Sequence, residues 1–146
     1  ILRWGTHIMK RLIVLFGHSE CGKSQTLNLL SSLIQSKGGA PMSPPIVCYG
    51  DRLETFRYND QIISICPGGD NVDIIKHNFA YAYAQHADIL ITASRSRGNG
   101  PTYINDEATK QGITIEWYKK SNECHLSLIT QKLCNKEFAE VILKTL

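Results

Sequence analysis

Gly17-His18-Ser19-Glu20-Cys21-Gly22-Lys23-Ser24 places two glycines, a lysine and a hydroxyl at the spacing G-x-x-x-x-G-K-[ST]. Leu12-Ile13-Val14-Leu15-Phe16 runs straight into it as an apolar strand. A helix predicted over 26–37 follows, with Leu27, Leu30, Ser31 and Ile34 along one stripe and Leu29 and Leu33 beside it. A chain patterned this way must leave the end of a buried strand, curl tightly and enter a helix. The glycines let successive backbone N–H groups point inward at an anion, and the helix N-terminus adds partial positive charge. Lys23 then reaches the β- and γ-oxygens of a polyphosphate, and the Ser24 hydroxyl is a ligand for Mg²⁺. The anion nest is expected to run from Gly17 through His18, Ser19, Glu20, Cys21, Gly22, Lys23 and Ser24 to Gln25.

The chain has 146 residues, a size usual for one domain, and 42% hydrophobic residues supply its core. Charged residues make up 20% without forming long runs, which excludes a disordered chain. The net charge of +3 suits an anionic ligand without requiring nucleic acid. No apolar run approaches the ~20 residues that span a bilayer, and no signal peptide is evident. The cysteines Cys21, Cys48, Cys66, Cys124 and Cys134 have no C-x-x-C spacing, so zinc is not expected, and reduced thiols in a cytoplasmic protein are. Cys21, inside the glycine turn, reads either as a redox-sensitive position or as a tolerated small residue. The histidines His7, His18, His77, His86 and His125 show no metal spacing. Met9-Lys10-Arg11 reads as a natural start, with residues 1–9 a leader or disordered N-terminus and 10–146 a single domain.

Further along, Gly38-Gly39-Ala40-Pro41 stops the first helix, and Pro41, Pro44 and Pro45 stiffen a connector. A short strand is expected at 46–49, then a β-hairpin of 53–58 and 61–66 around Asn59-Asp60. Asp70 or Asn71 caps a helix reaching about residue 85, and a buried strand follows over 88–93. A basic loop over 94–101 leads to a short helix over 105–111 and a strand over 113–118. The remainder reads as a polar loop over 119–125, a strand over 126–130 and a helix capped by Asn135 with Phe138, Ala139, Ile142, Leu143 and Leu146 on one face. Helices alternating with strands imply an α/β fold with a mainly parallel sheet. Ligands in such sheets bind at the strands' carboxyl ends. The glycine turn, 67–70 and 94–100 all follow such ends and should converge.

Residues 10–146 resemble a compact P-loop NTPase. The resemblance implies a three-layer α/β/α fold with about six strands, mainly parallel, and one antiparallel hairpin. The element order is similar to that of a small GTPase domain, whose hairpin leads into an Asp-x-x-Gly turn holding the γ-phosphate and magnesium. Cys66-Pro67-Gly68-Gly69 stands at that place, with Cys66 where the aspartate would be and Asp70 a substitute. The guanine-reading Asn-Lys-x-Asp aligns with Tyr118-Lys119-Lys120-Ser121, where only Lys119 agrees. A threonine closing over magnesium would be Thr55. The chain also resembles shikimate- or nucleotide-type kinases, with Asp51 as their acidic residue, Gly68-Gly69 as their glycine run and Arg95 and Arg97 as an arginine lid.

Three readings of function follow. The first is an Mg²⁺-dependent ATP or GTP hydrolase, in which Lys23 neutralises phosphate, Asp70 or Asp51 holds magnesium or orients the attacking group, and Arg95 and Arg97 act as arginine fingers. The second is a small-molecule or nucleotide kinase. The third is a nucleotide-binding switch with little turnover. No membrane contact is expected. The Arg95 and Arg97 loop also suits nucleic acid or an acidic partner, and a protein partner or a second copy is compatible with the sequence.

Overall fold

Leu12 to Leu15 are each 0% exposed, because successive side chains of a strand point to opposite faces of the sheet and both faces are covered here. In the structure, a computed structural model that describes residues 7–18, 21–121 and 126–146, this run is strand β1 (Arg11–Phe16). Helix α1 (Lys23–Ser36) follows, buried along Leu27, Leu30, Ser31 and Ile34. Next come β2 (Ala40–Pro41), β3 (Ile46–Cys48), β4 (Asp51–Tyr58) and β5 (Gln61–Cys66), then α2 (Val72–Ala84) and β6 (Ile89–Ser94). Helix α3 (Asn99–Gln111), β7 (Ile115–Lys119) and α4 (Leu128–Leu143) complete the order.

The sheet runs β2-β4-β5-β6-β1-β7, with β3 also paired to β4. It is mixed: β5–β6, β6–β1 and β1–β7 are parallel, whereas β2–β4, β3–β4 and β4–β5 are antiparallel. The expected single hairpin is thus one of three antiparallel pairings, because both pieces of the proline-rich connector pair along the outer side of β4. The period of two along each strand sorts the core. Ile13, Leu15, Ile63, Ile65, Ile89 and Ile91 pack with Leu27, Leu30 and Ile34 of α1 and Ala139 and Ile142 of α4. Leu12, Val14, Cys66 and Leu90 pack with Ile75, Phe79 and Ala82 of α2 and Ile104 and Ala108 of α3. Met9 is buried in this second cluster, and His7 Nε2 donates to Ala87 O (2.9 Å).

The hairpin turn follows its sequence: Asn59 (φ 50°) and Asp60 (φ 60°) both take the left-handed conformation that such a two-residue turn demands. Several expectations are corrected. Residues 126–130 do not form a strand. The Ser127 side chain accepts from Thr130 N (3.2 Å) and starts α4 there, so Asn135 lies inside the helix instead of capping it. Helix α3 begins at Asn99, inside the expected basic loop, because Pro101 falls in its first turn, where a missing N–H is harmless. The predicted loop over 119–125 is replaced at its start by the end of β7, and 122–125 lie outside the described residues. No described helix is long and apolar enough to cross a membrane.

Ile91 stands at the middle of β6 at 0% exposure. Ile91→Ala is expected to lower unfolding free energy by about 2–5 kcal/mol, read by urea denaturation. A loss under about 1 kcal/mol would contradict this packing.

Candidate functional site

The carboxyl ends of β1, β5 and β6 open on one edge of the sheet, and three loops meet there. Gly17 N donates to Ser94 O (3.3 Å) and Lys120 N to Phe16 O (2.8 Å), which binds the glycine loop to the ends of β6 and β7. Ser24 Oγ donates to Pro67 O (3.4 Å), which ties the start of α1 to the loop after β5. Strand β6 lies between β1 and β5, so the 67–70 loop reaches Ser24 across the end of an intervening strand.

Glycine is required at this edge. A side chain on Gly17 (φ 159°) would stand 2.5 Å from Lys120 O, and one on Gly69 would strike the backbone carbonyl of Ala93. Gly22 (φ 93°) is the N-cap of α1 in the left-handed region and brings no side-chain acceptor to the helix's first N–H groups. Lys23 is only 6% exposed. Its Nζ donates to His18 O (2.7 Å) and Gly17 O (3.0 Å) and lies 3.7 Å from Cys21 Sγ. The loop carbonyls therefore hold the buried ammonium that desolvation would otherwise penalise.

Arg95 and Arg97 are exposed on the loop after β6 and line two cavities. One of about 380 Å³ is shared with Gly17, His18 and Ser96. One of about 240 Å³ is shared with Gly69, Asp70, Asn71 and the start of α3. Lys119, the last residue of β7, lines a third, of about 420 Å³, with Gly17, His18 and Arg97. Asp51 joins because β4 runs antiparallel to β5, so its first residue stands at the carboxyl end of β5. Its carboxylate lies against Gly68, where any side chain would collide with it. Burial first, and then the charge of Asp70, raise the Asp51 pKa above the ordinary carboxylate value. The two carboxylates singled out in the sequence are thus near enough for the charge of Asp70 to act on Asp51.

Other expected residues fall elsewhere. Gln25 turns from the loop into a groove with Asn28 and Leu29. Ser19 and Glu20 lie outside the described residues. Thr55 is 1% exposed inside the sheet, donates to Tyr81 Oη (2.9 Å) and bonds Ser64 Oγ (2.8 Å). That network removes it from any role over a metal. Cys66 is fully buried against α2, 4.0 Å from Asn78 O. Burial, with a smaller contribution from Cys48, pushes its thiol pKa well up, so its side chain does not stand where an Asp-x-x-Gly carboxylate would act.

Sequence reasoning missed Asn78 and Thr92, and gave Asn135 another role, that of a helix cap. Asn78 Nδ2 donates to Gly68 O (2.7 Å) and Thr92 Oγ1 (3.0 Å), and Thr92 Oγ1 donates to Cys66 O (2.9 Å). Together they fix the 66–69 loop from beneath. Asn135 Oδ1 is 3.3 Å from Thr26 Oγ1 and would lie 2.7 Å from a side chain at Gly22. Polar residues on the apolar faces of α2 and α4 were the signal for Asn78 and Asn135.

A carboxyl whose pKa is raised on folding binds its proton more tightly folded than unfolded. Stability is then fully present below the unfolded pKa and falls as pH rises through the folded one. Asp51→Asn is therefore expected to raise stability at neutral pH, with the gain vanishing below about pH 3. Urea titrations at the two pH values check this, and a loss at neutral pH would contradict it.

No protein-family model matches the chain. No curated protein matches it either. Among solved structures it is similar to one described as "Crystal structure of APE1195", with 13% identity, a TM-score of 0.41, and coverage of 96% of this chain and 78% of that chain. A likeness this shallow carries no inference about activity.

Proposed function

We propose that the chain is a P-loop protein of three-layer α/β/α architecture that binds ATP or GTP with Mg²⁺ and hydrolyses it. One observation carries this reading: the loop from Gly17 to Ser24 joins a central buried strand to a helix N-terminus whose N-cap is a left-handed glycine, with Lys23 folded into the loop. Backbone N–H groups and the helix dipole there favour an anion. The bonds that hold Lys23 Nζ are to neutral carbonyls, and a phosphate oxygen is the stronger, charge-assisted acceptor. Binding would draw the ammonium from Gly17 O and His18 O onto phosphate.

Ser24, Asp51 and Asp70 are the residues that would hold Mg²⁺. Among the described residues no group of three or more His, Cys, Asp or Glu is gathered. A hydroxyl and one or two carboxylates still fit a cation that takes its remaining ligands from phosphate and water. Bound there, the ion would neutralise phosphate oxygens and relieve the mutual repulsion of Asp51 and Asp70. Asp70, exposed at the loop tip, would orient the attacking water. Arg95 and Arg97 would stabilise charge developing on the transferred phosphoryl group, an effect worth roughly 10³–10⁵ in rate where it operates.

Phosphate transfer to a small hydroxylated acceptor is a second reading. It is favoured by the cavity beyond Arg95 and Arg97 from the glycine loop, which Asp70 also lines.

The test is titration of ATP and GTP, with and without Mg²⁺, followed by phosphate release. Lys23→Ala is expected to weaken binding about 10- to 100-fold, the scale of a lost charged hydrogen bond. Arg95→Ala and Arg97→Ala are expected to slow turnover with little change in affinity. Binding without turnover would favour the switch, turnover only with an added acceptor the kinase, and absence of binding would overturn the reading.

A further inference from the structure

Away from the loop cavities, α1 and α4 border an open groove of about 650 Å³. Its apolar wall is Leu29, Ile129 and Leu133, and Ile129 and Leu133 are 74% and 56% exposed. Next to them Leu128 is also 74% exposed. Large apolar side chains gathered in a concavity mark a binding surface more than scattered exposed ones do. The stripe predicted for this helix, with Ala139 and Ile142, packs inward, so these upstream residues are surplus to the core.

The charge of the groove selects its occupant. Lys132 and Lys136 line it, with Gln25, Asn28, Ser32 and Asn135 as its other polar residues, and no carboxylate does among the described residues. A second copy docking by a two-fold axis would set lysines against lysines. A bilayer would meet a convex basic face, whereas this surface is a cleft between two helices. The lining spans Gln25 to Ser32 on α1 and Ile129 to Lys136 on α4, a length of about two helical turns.

We propose that this groove docks an acidic amphipathic helix of another protein, with apolar anchors at i, i+3 or i+4, and i+7 seated between α1 and α4 and carboxylates facing Lys132 and Lys136. The proposal is independent of the nucleotide reading.

A display library of helical peptides, with those anchor positions apolar and all others randomised, tests it on the whole chain. Sequences enriched in Asp and Glu are expected. Their affinity should fall at least about tenfold in Leu133→Asp, the scale of an interface hot spot. In the Lys132→Glu, Lys136→Glu double variant, whose positions are exposed and so should leave folding intact, the library should instead return Lys- and Arg-rich sequences. Recovery of no helix, or of sequences indifferent to these substitutions, would overturn the proposal. So would concentration-dependent dimers, or binding to phosphatidylserine vesicles, that Leu133→Asp abolishes.

Discussion

An ammonium only 6% exposed has to be surrounded by acceptors, and Lys23 finds them in the two carbonyls that end β1's descent into the loop. That requirement shapes everything nearby. The loop must curl far enough for Gly17 O and His18 O to face inward. This brings Gly17 against Lys120 O and Cys21 Sγ, where a side chain has no room. The same curl delivers the chain to α1 through a left-handed glycine. Sterics, hydrogen bonding and desolvation thus demand the same residues at the same places. The proposed anion would change only which acceptors the ammonium faces.

The rest of the edge is assembled by strand direction. β5, β6, β1 and β7 run parallel and end together, so their following loops are neighbours. β4 runs the other way and contributes its beginning. This is why Asp51, 19 positions before Asp70 by subtraction of their numbers, lies within reach of its charge. Beneath, Asn78 and Thr92 supply donors to the carbonyls of Gly68 and Cys66. Buried polar groups that are fully bonded make a loop's position specific.

Legibility in the sequence followed the range of the interaction. Local signals were read well: the apolar run of β1, the stripe of α1 and the Asn59-Asp60 turn; of the two caps expected for α2, Asn71 is the one whose side chain accepts from Ile74 N (3.0 Å). Where two local signals competed, the wrong one prevailed. Leu126-Ser127-Leu128 has the alternation of a strand, yet Ser127 is a helix cap, and the helix it starts carries Asn135 to the glycine loop. Pro101 suggested a loop and stands in a helix's first turn. Cys66 stands where the small-GTPase resemblance would place a carboxylate, but its place in the strand's alternation points it into the core. A polar residue on an apolar helix face marks Asn78 and Asn135, but their partners lie on other elements, so no local pattern could name them.

Asn135 has one more consequence, for the order in which the molecule is made. Its side chain meets Thr26, 109 positions earlier, and fills the space beside Gly22. During synthesis the glycine loop emerges well before its outer wall, which arrives only with α4. Until then the nascent β1–α1 unit holds an unfinished turn. Contacts so distant along the chain slow folding, and the wall beside Gly22 is complete only when α4 has packed onto α1.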